Sequence, residues 1–105
     1  MAKAKKKLVL EINGKNVVFH EAKVMVMMAM VINSARGHKM VKFWYKKKDG
    51  SKKLRVVEPY SYKEDAFSGN LFAAEDGNIK SFSLDHIENV EITNIIFEPR
   101  WNIEL

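Results

Sequence analysis

Two short residue pairs, each ending in glycine, most constrain what this chain can fold into. Asn13-Gly14 lies between the segments LVLEI and NVVF, and Asp49-Gly50 lies between two longer segments of alternating character. Such pairs favour tight turns between antiparallel strands, because the backbone there needs positive φ angles that asparagine, aspartate and glycine tolerate. The sequence therefore predicts two hairpins, the first returning over residues 17–19.

The second predicted hairpin is the longer one and carries most of the lysines. Its first strand alternates two sets of side chains, Val41, Phe43 and Tyr45 against Lys42, Trp44 and Lys46. The return strand contains Leu54 and Val56, and we expect it to end at Glu58-Pro59, because proline cannot continue a hydrogen-bonded ladder.

An unbroken apolar run, Val24 to Ile32, separates the two hairpins. Its methionine and alanine residues favour a helix, and Gly37 suits the helix end. A helix that is apolar on most sides is covered by the rest of its domain or by a partner. Both interpretations are open here: a core helix against a small sheet, or a methionine-rich binding face.

Three further strands are predicted over residues 71–75, 79–85 and 89–95. They are separated by a turn at Asp76-Gly77-Asn78 and a corner over residues 85–89, and residues 64–70 are expected to form a loop. The resulting order is two strands, one helix and five strands. This order indicates a mostly β domain with one helix (an α+β fold), curled into a small, partly closed barrel.

The 105 residues suit a single domain over residues 8–105, preceded by a basic tail at residues 1–7. The absence of cysteine fits a reducing cytoplasm. Residues 1–55 have a net charge of +12 and residues 56–105 a net charge of −7. The basic half would attract polyanions, or it would pair internally with the acidic half.

Two segments of the second half carry a family resemblance. LRVVEPYSY contains Arg55 and Pro59, and KSFSLDHI contains Lys80 and His86. Together with the preceding hairpin and the final PRW, they resemble the WYL domain over about residues 25–101. The name-giving tripeptide is replaced by NLF at residues 70–72. Lys80 and His86 stand where arginine is usual, and neither side chain can form arginine's two-pronged contact with phosphate.

The resemblance implies an SH3-like or Sm-like β-barrel that serves as a non-enzymatic regulatory sensor. It also implies a pocket for a nucleic-acid strand or a nucleotide-like anion, formed by Arg55, Tyr60, Lys80, Asp85 and His86. The strand parity of Lys80 places it on the barrel side, where it would lie at the mouth, extend to solvent or pair with another side chain. Asp85 would cap the structural corner by accepting backbone hydrogen bonds. His86 would add positive charge when an anion binds, or it is a solvated surface group.

A second candidate site is the basic hairpin. It consists of Lys42, Trp44, Lys46, Lys47, Lys48, Lys52 and Lys53. An outward tryptophan between lysines suits a single strand, because the ring stacks on bases, worth about 1–3 kcal/mol each, while lysines contact phosphates. The alternative is a solvated hairpin whose lysines prevent edge pairing and whose tryptophan covers the barrel end.

Catalysis is not expected. The three histidines lack metal-ligand spacing, and no phosphate-binding loop or nucleophile elbow occurs. We therefore predict no cofactor and no metal. The expected partner is single-stranded RNA or DNA, or a nucleotide-like ligand, with no membrane association.

A protein partner is the competing interpretation. The chain would then be an adaptor or inhibitor that docks on a nucleic-acid-processing complex. It would dock through its methionine-rich helix or through a C-terminal strand in which Trp101, Ile103 and Leu105 alternate. A homodimer formed through strand edges is also open.

Overall fold

The computed structural model describes residues 7–65 and 68–105. The predicted order of two strands, one helix and five strands is confirmed within these ranges. The predicted basic tail lies outside them, except for Lys7. The elements are β1 (Leu8–Ile12), β2 (Lys15–Phe19), α1 (Ala22–Arg36), β3 (Lys39–Lys46), β4 (Lys52–Glu64), β5 (Gly69–Glu75), β6 (Asn78–Ser83), a 3-10 turn (Leu84–His86) and β7 (Ile87–Ile96).

The tight turns form where the glycine pairs predict them. Asn13 and Gly14 have φ angles of 52° and 79°, and Asp76 and Gly77 have 52° and 82°. Two successive left-handed residues define the hairpin turn whose twist matches that of its strands. The Asp49-Gly50 turn is longer, and the Asp49 carboxylate accepts a hydrogen bond from the Ser51 backbone N–H at 2.8 Å.

The strands form two antiparallel sheets. β1 and β2 pair with each other, and the other five strands follow the spatial order β6-β5-β4-β3-β7. β4 pairs with β3 as far as Val57 and with β5 from Glu58 onward. The predicted end of β4 at Glu58-Pro59 is therefore wrong. The ladder is irregular between Pro59 and Ser61, and proline is tolerated at such a break because its missing N–H is not needed there.

The helix packs on the inner face of the sheet, as the core-helix interpretation predicts. Its buried side chains include Met27, Met28 and Val31, and the sheet contributes Val41 and Phe43 to the same core. The methionines at the centre of the helix are therefore core residues. A partner could reach only the half-buried or exposed side of α1, which includes Val26.

The hydrogen-bonded sheet is open, so a closed barrel is not confirmed. Its edges are β6 and β7, which are consecutive in the chain and joined by the 3-10 turn. The side chain of Tyr45, on β3, is hydrogen-bonded to this corner. The Ser83 backbone N–H donates to the Tyr45 hydroxyl at 3.1 Å. The fold shown is a mostly β domain with one helix.

Candidate nucleic-acid interface

The outer face of β3 presents the predicted row of basic and aromatic side chains. Val41 and Phe43 are buried, whereas Trp44 is 41% exposed and Lys46 is exposed. Successive side chains of a strand point to opposite faces, so Lys42, Trp44 and Lys46 share the outer one. The predicted alternation of this strand is confirmed.

Trp44 lies at the centre of a three-stranded surface. Its register partners are Leu54 on β4 and Glu88 on β7. Leu54 is also 41% exposed, so the two side chains form an apolar patch on the outer face. The patch borders an open groove of about 430 Å³ that Lys42, Asn89, Val90 and Glu91 complete. We call Lys42, Trp44, Lys46, Lys48, Lys52 and Leu54 the hairpin face.

Two lysines of the hairpin face are paired with carboxylates. Lys42 Nζ lies 3.1 Å from Glu91 Oε2, and Lys52 Nζ lies 2.7 Å from Glu88 Oε2. The hydrogen bond from Lys52 holds the pKa of Glu88 below its ordinary value. Lys46 and Lys48 form no ion pair with any residue in the described ranges. The positive charge available to a ligand is therefore concentrated near the hairpin tip.

Arg55 and Lys80 meet at one half-buried carboxylate, that of Glu75 at the end of β5. Glu75 Oε1 lies 2.6 Å from Arg55 Nη1 and 2.7 Å from Lys80 Nζ. The Arg55 guanidinium also lies over the Phe82 ring, 5.7 Å from its centroid. Lys80 pairs with Ala73 and Phe82 with Leu71, so Lys80 shares the core-facing side of β6, as its parity predicts. We call Arg55, Glu75 and Lys80 the Glu75 cluster.

The electrostatics of this cluster favour an ionised carboxylate. Burial raises the pKa of Glu75, but hydrogen bonds from Lys80 and Arg55 outweigh it, so the pKa of Glu75 lies below its ordinary value. Arg55 Nε is buried and has no hydrogen-bond partner in the described part of the chain. An anionic ligand would have to displace Glu75 to reach both basic groups.

Tyr60 lies apart from the Glu75 cluster. Its side chain is 3% exposed, its hydroxyl donates to Glu58 at 2.7 Å, and the same hydroxyl accepts from the Arg100 backbone N–H at 3.2 Å. The ring packs edge-on against Phe97 and Trp101. Burial, followed by the hydrogen bond to Glu58, raises the pKa of Tyr60. In this conformation Tyr60 offers no face for stacking.

His86 belongs to the hairpin side of the molecule. Its Nδ1 lies 3.1 Å from the Lys46 carbonyl oxygen, and its ring packs on Tyr45 at a centroid distance of 5.7 Å. A carbonyl oxygen can only accept, so Nδ1 carries the proton of this hydrogen bond. Asp85 occupies the corner but accepts no hydrogen bond from the described residues, so the expected capping is not formed. The five residues of the family pocket thus do not converge.

Sequence reasoning missed the three glutamates that pair with these basic groups. Glu75 joins Arg55 to Lys80, while Glu88 and Glu91 reach β3 and β4 from the far end of the chain. The one signal available was the charge asymmetry between the two halves, which indicated pairing without naming partners. Positions 88 and 91 become informative only once β7 is known to lie beside β3.

The comparisons identify a similar fold. No family model and no curated protein matches the chain. Among solved structures, it is similar to proteasome accessory factor B/C (PafBC) of Arthrobacter aurescens, with a TM-score of 0.66 and 16% sequence identity. The match covers 81% of this chain and 13% of that chain. This likeness shows the fold alone. It is consistent with the WYL resemblance and does not confirm membership of the family.

The described residues contain neither a candidate metal site nor a candidate membrane-spanning helix. No group of three or more histidine, aspartate or glutamate side chains in residues 7–65 and 68–105 could hold a metal ion. No helix in the described part of the chain is long and apolar enough to cross a membrane.

Within the described residues, the predicted C-terminal strand is reduced to a single β-bridge. Glu104 forms an isolated parallel bridge with Ser61, and its backbone N–H donates to the Tyr60 carbonyl at 2.7 Å. Leu105 is buried, whereas Trp101 is 45% exposed. The C-terminal segment thus packs against the second half of β4, which no longer pairs with β3.

Proposed function

We propose that this domain binds single-stranded nucleic acid, or a nucleotide-like anion, on its hairpin face. The observation that carries the proposal is Trp44, which is 41% exposed between two lysines on one face of a strand. A tryptophan held in this way offers a stacking platform, and lysines two residues away follow the phosphates. Lys46 and Lys48 lie toward the tip and would contribute most of the contact. His86 packs on Tyr45, on the other face of β3, and would contribute only from the border of this surface.

A single strand suits this surface better than a duplex does. Stacking on Trp44 requires an unstacked base, which a single strand provides and a duplex conceals. Lysine contacts carry no base specificity, so binding should tolerate many sequences and weaken steeply with salt. A mononucleotide would use Trp44 and one or two lysines, with lower affinity.

We further propose that the five-stranded sheet is an open form of the SH3-like, Sm-like barrel that the WYL resemblance implies. Three features support this: strand β4, which pairs with β3 in its first half and with β5 in its second, the successive edge strands β6 and β7, and the 3-10 turn between them. The likeness to PafBC, a protein named as an accessory factor, is consistent with a regulatory role. We propose that the domain performs no chemistry of its own.

The test is a fluorescence-anisotropy titration with labelled single-stranded RNA, single-stranded DNA and duplex DNA at two salt concentrations. Trp44→Ala should weaken single-strand binding by about fivefold to a hundredfold, the loss expected for one stacked base. Trp101→Ala is the matched control, because Trp101 is similarly exposed but packs on Tyr60, away from the hairpin face.

Two results would contradict the proposal. One is the absence of binding by the wild type at low salt. The other is an equal loss in the Trp44→Ala and Trp101→Ala variants. A Lys46→Gln/Lys48→Gln variant provides a second check. It should flatten the salt dependence by about 0.7 in log–log slope for each phosphate contact removed.

A protein partner is the second candidate, and one observation favours it. Ile95 and Ile96, near the end of edge strand β7, are 52% and 65% exposed. An apolar edge strand is a template for pairing with another chain. Sedimentation analysis without nucleic acid would reveal a concentration-dependent dimer if this edge, rather than the hairpin face, forms the functional contact.

A further inference from the structure

The two glutamates on the hairpin side of β7 reach their lysines through a break in strand periodicity. Glu88 and Glu91 are three residues apart, so in a regular strand their side chains would point to opposite faces. The β3–β7 ladder instead pairs Lys42 with Glu91 and Trp44 with Glu88, which leaves one extra residue on β7. Asn89 has a φ angle of 54° in this bulge. Both carboxylates therefore face outward, beside Trp44.

These carboxylates stand where phosphates would bind. Glu91 forms an ion pair with Lys42, and Glu88 forms one with Lys52. Each glutamate therefore already neutralises a lysine that lies near Trp44 and could otherwise bind a phosphate. The side chains of both pairs are between 37% and 63% exposed. Exposed pairs of this kind stabilise a protein little, so a phosphate could replace the carboxylate as the partner of the lysine.

The displaced carboxylates would nevertheless remain near the ligand. Both glutamates belong to a strand that is hydrogen-bonded to β3, so neither can move far from Trp44. A phosphate placed toward β7 would meet negative charge, whereas one placed toward the tip meets Lys46 and Lys48. The surface thus has one attractive side and one repulsive side.

We propose that Glu88 and Glu91 determine which polyanions this surface accepts, by competing for Lys42 and Lys52 and repelling phosphates on the β7 side. This inference rests on the proposed function. A single strand stacked on Trp44 can keep its phosphates on the tip side. A duplex is wider and stiffer, and it would bring a second row of phosphates toward the glutamates. The expected consequence is selection of single strands.

The test compares Glu88→Gln, Glu91→Gln and the double variant with Glu11→Gln. Glu11 is exposed and lies on β1, in the separate two-stranded sheet, so it controls for the change in net charge. The probes are a single-stranded DNA of about 12 nucleotides and the matching duplex. Each substitution in β7 should raise single-strand affinity about two- to fivefold. Each should also steepen the log–log salt slope by about 0.7 for single strands. The gain for duplex should be larger.

A double-mutant cycle separates competition from a merely structural role. Lys42→Gln should reduce affinity little in the wild type, where Glu91 already neutralises the lysine, and markedly more in the Glu91→Gln background. Equal effects in both backgrounds would overturn the inference. So would gains no larger than that of Glu11→Gln.

The two hypotheses fail in different ways. If the wild type and all variants bind nothing at low salt, the proposed function and this inference fall together. If the wild type binds through Trp44 but the glutamine substitutions leave affinity and duplex selectivity unchanged, only the inference falls. Thermal denaturation of each variant guards against misfolding, and the midpoints should stay close to that of the wild type because the ion pairs are exposed.

Discussion

At the scale of single residues, Gly69 of β5 lies directly against the Tyr62 side chain of the neighbouring strand β4. A Cβ added at Gly69 would overlap the hydroxyl and two ring carbons of Tyr62. The ring packs against Phe19 and the main core, and burial, with Glu64 and Asp85 nearby, raises the pKa of Tyr62 to about 12. Glycine is needed here for space, and the position needs no unusual backbone angle.

Gly69→Ala should therefore destabilise the domain by about 1–3 kcal/mol, the usual effect of overpacking. Urea denaturation would measure the change. In a Tyr62→Ala background the same substitution should cost much less, because the space it needs is then vacant. An equal loss in both backgrounds would show that crowding by Tyr62 is not the cause.

At the scale of elements, the sequence predicted the features that depend on neighbouring residues and missed those that depend on pairing between distant strands. The turns at Asn13-Gly14 and Asp76-Gly77 are encoded by the residues that form them, so the sequence located those hairpins correctly. The continuation of β4 beyond Pro59 was missed, because it depends on pairing with β5 rather than on the local residues. The outward position of Glu88 and Glu91 was hidden for the same reason, since the bulge reverses the expected parity.

The bulge in β7 offers a direct test of this parity argument. Asn89 tolerates a left-handed backbone, which a β-branched residue strongly disfavours. Asn89→Val should destabilise the domain by about 1–2 kcal/mol, whereas Asn89→Gly should be close to neutral. Chemical denaturation of both variants provides the comparison. Equal losses would indicate that the Asn89 side chain, and not its φ angle, matters.

At the scale of the whole molecule, part of the positive charge of the first half is neutralised by ion pairs with the acidic second half. Lys42, Lys52 and Arg55 of the basic half each pair with a glutamate of the acidic half. The remaining lysines of the hairpin tip stay exposed. The two interpretations of the asymmetry, internal pairing and attraction of polyanions, therefore apply to different lysines, and composition alone could not separate them.

The pH dependence of folding should reflect this pairing. The pKa of Glu75 is lowered in the fold, so its contribution to stability is full above the unfolded value and is lost as pH falls through the folded one. Urea denaturation between about pH 7 and about pH 3 should show declining stability, because the unfolded chain takes up protons more readily in this range.

Glu75→Gln should cost about 1–3 kcal/mol at neutral pH, since it weakens hydrogen bonds to two charged groups, and the variant should lose less stability on acidification. Glu98→Gln, at an exposed position without an ion pair among the described residues, is the matched control. A pH profile for Glu75→Gln parallel to that of the wild type would refute this assignment.

Strand β4 is shared by both parts of the five-stranded sheet. β4 pairs with β3 in its first half and with β5 in its second, without an intervening loop. The hairpin face and the Glu75 cluster therefore share one continuous strand, to which they contribute Lys52, Leu54 and Arg55. Unfolding at either end removes hydrogen bonds from the same strand. The five-stranded sheet should thus open as one cooperative unit, with β4 among the last segments to exchange its amide protons.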